Sequence, residues 1–205
     1  MFILLKHVCT NLFFFAYKKY KILKLSGVKI YAETDRIIMR EIVMEDAAAM
    51  FEMDSDPEVH RYLNKTPIRS IEEAISSINY IRQQYIDYGI GRWAIIDKKT
   101  DRFAGWGGLK FRTDEVNGHT NFHDVGYRLL RTFWGQGFAT ESAKTTLKYA
   151  FEELDLPAVY ALADIDNKAS IHVLLKSGLK ITAQIEHDGI ICDWFEIKQE
   201  DWLVR

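Results

Sequence analysis

Two glycines, Gly135 and Gly137, stand one residue apart inside Arg131-Thr-Phe-Trp-Gly-Gln-Gly-Phe-Ala-Thr-Glu-Ser-Ala-Lys144. Glycine lets a backbone turn sharply and approach a ligand closely. The run before them, Asp124-Val-Gly-Tyr-Arg-Leu-Leu130, has the apolar and aromatic character of a strand. After them Ala139, Ala143, Leu147, Ala150, Phe151 and Leu154 recur at helical spacing. The pattern is strand, turn, helix. A turn of this kind leaves N–H groups free at a helix N-terminus, where the helix dipole favours a negative group. The chemistry that fits is a cradle for pyrophosphate.

Two familiar cradles do not match. A nucleoside-triphosphate P-loop carries Lys-Ser/Thr after its last glycine, and Phe138-Ala139 stands there. A dinucleotide fingerprint needs three glycines on an early strand and an acid about 20 positions on. The stretch resembles motif A of the GNAT N-acetyltransferases, Gln/Arg-x-x-Gly-x-Gly/Ala, laid on Thr132-Phe-Trp-Gly135-Gln-Gly137. Thr132 departs from the usual first residue. The longer string Trp-Gly-Gln-Gly-Phe-Ala-Thr-Glu is similar to the branch that holds the ribosomal-protein N-terminal alanine acetyltransferases. The resemblance spans roughly residues 29 to 200 and implies acetyl-CoA as cosubstrate. It implies that Thr132, Trp134, Gly135, Gln136, Gly137, Phe138, Ala139 and Thr140 hold the pyrophosphate. It also implies that the strand around Tyr127 to Leu129 offers free amides to the pantetheine arm.

Asn167 on its own reads as a helix N-cap, its side chain meeting a free N–H. The string Asn167-Lys-Ala-Ser170-Ile-His-Val-Leu-Leu-Lys176-Ser-Gly178 resembles the family's motif B. That resemblance gives Asn167 a contact with pantetheine and puts Ser170 near the cofactor. Many relatives carry a tyrosine seven positions after the asparagine, as an acid for the leaving thiolate. Leu174 occupies that position here. CoA then leaves as thiolate, or Ser170 with a water supplies the proton.

Acetyl transfer to an amine needs a deprotonated amine, a polarised carbonyl and in-line approach. Asp124 is the first candidate base, matching the glutamate of a Glu-Ile-Gly-Tyr string in this branch. Its shorter arm favours a water relay, and an ion-paired strand residue is the plain alternative. His123 has an ordinary pKa better suited to the task, but strand alternation puts it on the opposite face. Glu141 suits the helix dipole better than catalysis. Trp93, Trp106, Trp134, Phe111 and Phe122 read as core. Of these, Trp106 between Gly105 and Gly107 is the most site-like. Asp54, Asp56 and Glu58 form an acidic run in a region that lines the acceptor pocket in the family.

The elements that must position these groups follow from periodicity. Arg36–Ile42 reads as a strand, Glu45–Met53 as a helix and Asp56–Tyr62 as a turn with a short helix begun by Pro57. Ser70-Ile-Glu-Glu73 is a capping box opening a long helix that Gly89 and Gly91 end. Strands are expected at Trp93–Asp97, Phe103–Arg112 and Asn121–Leu130. After the motif A helix come a strand at Ala158–Ala163, a helix from Asp166 to Gly178, and a hairpin turning at Asp188-Gly189. The order gives a mixed α/β sheet covered by helices. The resemblance makes it the GNAT fold, with a central, mostly antiparallel sheet.

The chain has 205 residues, 48% of them hydrophobic and 27% charged, as in an ordinary globule. Its net charge of −2 points away from a nucleic-acid surface. Cys9 and Cys192 show no metal or disulfide spacing, which fits a reducing, cytoplasmic setting. Residues 1–27 carry Lys6, Lys18, Lys19, Lys21 and Lys24 with no acid, beside the apolar Leu12–Tyr17. They read as an extension, a basic surface-binding helix or a targeting segment, and are too short an apolar run to span a bilayer. The acetyltransferase domain is expected over 28–205. The expected partners are acetyl-CoA and a primary amine. A protein N-terminus leads as acceptor, with a small amine or aminoglycoside as alternative, and a non-catalytic acyl-CoA-binding regulatory module is the rival from another class. No metal is expected, and a homodimer is left open.

Overall fold

A computed structural model describes residues 27–63 and 66–204. The expectations placed on residues 1–26 lie outside the described residues. The first pair of strands is β1 (Ile30–Glu33) and β2 (Ile37–Glu41). Two helices follow, α1 (Ala47–Asp54) and α2 (Ile71–Tyr88). Then come β3 (Arg92–Asp97), β4 (Arg102–Arg112) and β5 (Phe122–Leu129). The motif A helix is α3 (Phe138–Glu152), followed by β6 (Ala158–Asp164) and α4 (Lys168–Ser177). The hairpin β7 (Lys180–His187) and β8 (Ile190–Lys198) leads into the short α5 (Gln199–Leu203).

All eight strands join one sheet in the order β1-β2-β3-β4-β5-β6-β8-β7. Every neighbouring pair is antiparallel except β5 with β6. Those two run parallel and share a single register partner, Asp124 with Tyr160. Beyond it they part, leaving a wedge that opens toward Leu129 and Asp164. A parallel pair needs a crossover, and α3 supplies it.

Apolar periodicity explains the helix faces. The stripe Ala74, Ile78 and Ile81 of α2 is buried, as are Ala143, Leu147, Ala150 and Phe151 of α3. Trp93 is fully buried, stacks on Tyr31 at 4.6 Å and meets Tyr149 of α3 edge-on at 5.1 Å. Asn167 caps α4, its side chain accepting the Ser170 amide at 3.1 Å.

Two local expectations fail for stated reasons. Residues 56–62 form turns, not a helix. Their bonds run three residues back (Val59 to Asp56, Arg61 to Glu58, Leu63 to His60), and the Asp56 carboxylate takes the Glu58 amide. Such side-chain bonding competes with the helical ladder. At α2, Ser70 makes no side-chain cap bond, and Glu73 accepts the Arg69 amide instead at 3.0 Å. The helix still begins there.

Leu147 lies at 0% exposure between α3 and the sheet. Leu147→Ala is expected to cost about 2–5 kcal/mol, read as a lower urea midpoint with an unchanged slope.

Candidate active site

The loop between β5 and α3 begins with a single 3-10 turn, Arg131–Phe133. Gly135 and Gly137 both take left-handed backbone, with φ of 71° and 84°. Only glycine adopts that conformation at little cost. A Cβ on Gly135 would meet nothing within 4 Å, and one on Gly137 would meet only Arg36 Nη2 at 3.5 Å. The space above the loop is therefore open. The first helical bond is Glu141 N–H to Gly137 O at 3.0 Å. Residues 134–137 are turns, and the amides at the start of α3 precede the first helical bond. These helix N-terminal donors, with room in front of them, fit a pyrophosphate.

The loop is braced from the β1–β2 turn. Arg36 Nε donates to Glu141 Oε2 at 2.7 Å, and its Nη1 donates to Gln136 O at 3.1 Å. Thr34 Oγ1 donates to Glu141 Oε1 at 2.6 Å. Glu141 is thus held by two partners. Gln136 Nε2 donates to Thr132 O at 2.6 Å, closing the loop on itself. Trp134, read from sequence as core, is 43% exposed. Its indole N–H donates to Leu129 O at 3.0 Å, fastening the loop to the end of β5.

The wedge itself is lined by β5 and α4. Leu130 N–H points to Ala104 O on β4 at 3.0 Å. Amide direction alternates along an antiparallel strand, so the amides of Tyr127 and Leu129 turn toward β6 and the wedge. Tyr127 reaches across it. Its hydroxyl donates to Ser170 O and shares a bond with Ser170 Oγ, both at 3.0 Å. Burial pushes the Tyr127 phenol above its ordinary range, with the Ser170 bond acting against this. Leu174 is 2% exposed and packed in the core, so it contributes nothing to the site.

The opposite face of β5 carries Asp124, Gly126 and Arg128. Asp124 is buried and ion-paired through Oδ1 with Arg92 Nη2. Arg92 Nη1 also donates to Asp124 O at 2.9 Å. Gly126 makes room for this, since a Cβ there would lie 2.7 Å from Arg92 Nη2. Trp106, half-buried, lies between two guanidiniums, with Arg128 5.0 Å and Arg92 5.5 Å from its ring centre. His123 is on the other face, 5.1 Å from the ring of Phe111. Burial pushes its imidazole below the ordinary 6.5, with the Asp124 charge pulling the other way.

The acidic run is fully matched by arginine. Asp54 Oδ1 accepts Arg128 Nη1 at 2.7 Å, Asp56 lies 3.2 Å from Arg131 Nε and Glu58 lies 2.5 Å from Arg61 Nη2. Sequence reasoning missed these pairs, as it missed Arg92 with Asp124 and Arg36 with Glu141. Gly126 was the one local sign, a strand glycine marking a close approach. Burial pushes the Cys192 thiol up, which leaves it unsuited to covalent catalysis. Among the described residues no group of His, Cys, Asp and Glu could hold a metal.

Two outcomes follow. Arg92→Ala leaves a buried carboxylate unpaired, a loss of about 3–5 kcal/mol, and a double-mutant cycle with Asp124→Ala should recover much of it. His123 binds fewer protons folded than unfolded just below pH 6.5. Its contribution to stability is therefore complete above 6.5 and lost as the pH falls through the depressed folded value. His123→Gln should flatten that part of the melting-temperature profile.

The model of the acetyltransferase (GNAT) domain family matches residues 36–180. The chain is 34% identical to the uncharacterized N-acetyltransferase p20 of Bacillus licheniformis over 165 residues, 80% of this chain and 87% of that one. In fold it is similar to spermidine N-acetyltransferase from Vibrio cholerae in complex with CoA and spermine. There the TM-score is 0.66 at 18% identity, with 83% of this chain and 99% of that one covered. It is similar too to RimL, the ribosomal L7/L12 alpha-N-protein acetyltransferase, in complex with CoA. There the TM-score is 0.69 at 17% identity, with 83% and 98% covered. With its cradle and its parallel wedge in place, the chain belongs to the GNAT acetyltransferases, enzymes that use acetyl-CoA as cosubstrate.

Proposed function

We propose that this acetyltransferase modifies a protein or peptide N-terminal α-amine, by direct attack within a ternary complex. The observation that carries the choice of acceptor is the arginine pairing of Asp54, Asp56 and Glu58. A polyamine acceptor needs uncompensated carboxylates to hold several ammonium groups. The acidic run supplies none.

In this reading the Gly135–Thr140 amides take the pyrophosphate, and the Tyr127 and Leu129 amides take the pantetheine and the thioester carbonyl. Asn167 spends its oxygen on the Ser170 amide, which leaves its NH2 for the pantetheine arm. The acceptor enters from the Asp124 face. Asp124 Oδ1 is committed to Arg92, so Oδ2 is the atom that orients a water to receive the ammonium proton. The neutral amine attacks the carbonyl carbon, a C–N bond forms and the C–S bond breaks. CoA leaves as thiolate, which is acceptable for a thiol at neutral pH. With the Tyr127 proton spent on Ser170 O, the Ser170 hydroxyl donates to the Tyr127 oxygen, so Ser170 can protonate the sulfur only by giving up that bond. We further assign residues 28–205 to one acetyltransferase domain, with 1–27 as an extension, acting in the cytoplasm.

The test is thiol release from acetyl-CoA against N-terminal peptides, spermidine and an aminoglycoside. Peptide turnover is expected. Asp124→Ala should lower kcat by about 100-fold with CoA affinity retained, and Asn167→Ala should raise the KM for acetyl-CoA. Turnover on spermidine with none on peptides would overturn the acceptor assignment.

A further inference from the structure

Arg128 follows Tyr127 directly on β5, and its side chain emerges on the opposite face. The cross-strand partner of Tyr127 is Gly107, whose Cβ position faces Ser142 of α3 at 3.3 Å. Tyr127 therefore belongs to the α3 face, where the pyrophosphate loop lies. Arg128 belongs to the α1 face, from which an acceptor reaches the wedge. Its side chain is 23% exposed there.

This guanidinium is only partly used. Nη1 donates to Asp54, and the ring of Trp106 supports the plane at 5.0 Å. Among the described residues Nε and Nη2 have no hydrogen-bond partner. Asp54 and Trp106 thus fix the orientation of the fork, while two of its nitrogens remain available to a ligand. Arg131, 62% exposed and opposite Asp56, adds a second cation three residues on. Asp54 and Asp56 are already paired with arginine, and the spare hydrogen-bonding capacity beside them is cationic.

We propose that Arg128 is a specificity-determining residue that receives a carboxylate of the acceptor. This rests on the N-terminal peptide reading above and narrows it to N-termini with an acidic side chain in the first few residues. The planar fork suits a carboxylate through two parallel N–H bonds. The α-amine then points into the wedge while the acidic side chain stays on the α1 face.

The experiment compares kcat/KM for three peptides that differ only at positions 2 and 3, carrying Asp, Ala or Lys there. In the parent the Asp peptide should exceed the Ala peptide by at least about 10-fold, the worth of either of the two charge-assisted hydrogen bonds alone, and the Lys peptide should fall below both. Arg128→Gln should bring the Asp and Ala values together. Arg128→Lys keeps the charge opposite Asp54 and should keep part of the preference. Asp54→Asn keeps an acceptor for Nη1 but removes the competing negative charge, and should increase it. Parent turnover that is equal for all three peptides, or an acid preference that survives in Arg128→Gln, would overturn the proposal while leaving the N-terminal acetyltransferase reading intact. No turnover on any of the peptides would overturn both.

Discussion

β5 and β6 run parallel and share one register, Asp124 with Tyr160. Past that point no ladder joins them, and the backbone groups along the inner edge of β5 must find partners elsewhere or wait for a ligand. The rest of the domain holds this gap open. The α3 crossover fixes the separation from one side. The Tyr127–Ser170 bonds fix the distance between β5 and the start of α4. A ladder that closed over the full length of both strands would have no place for a pantetheine arm.

Charge on the two faces of the gap is arranged differently. On the α3 face the positive potential comes from backbone amides at the helix start, with Arg36 beside them and tied back by Glu141. Amides make a site for a doubly charged group without long side chains to order. On the α1 face the charges are side chains in pairs: Arg92 with Asp124, Arg128 with Asp54, Arg131 with Asp56. Asp124 and Asp54 are both buried carboxylates, and there the pairing avoids a lone charge in a dry place. The exposed Arg131–Asp56 pair contributes little to stability. Its effect, with that of Arg128 and Asp54, is to set the sign of the surface an acceptor meets.

The cofactor side was the most legible in the sequence. Its determinants are local: two glycines one residue apart, an apolar stripe after them and a capping asparagine. Each works through backbone geometry within a few residues. The strands from β3 to β8 were read to within a residue or two for the same reason. β1 was not read, because the four residues Ile30–Glu33 are too few to show alternation. The helix expected at 56–62 was lost to side-chain bonding by Asp56 that no periodicity shows. The acceptor side was the least legible. Asp54, Asp56 and Glu58 look acidic along the chain, yet Arg128 lies 74 positions from Asp54. Asp124 and Arg92 are 32 apart. Such pairs depend on strand order, and strand order is not written in any one segment.

The central claim is that acetyl-CoA lies along the inner edge of β5 with its pyrophosphate on the Gly135–Thr140 amides. Titrating CoA into 15N-labelled protein and following backbone amide shifts tests it directly. The account predicts the largest changes at Tyr127, Leu129 and Gly135 through Thr140, saturating with one affinity. Saturable binding that leaves those amides unmoved, with the shifts gathered elsewhere on the sheet, would contradict it.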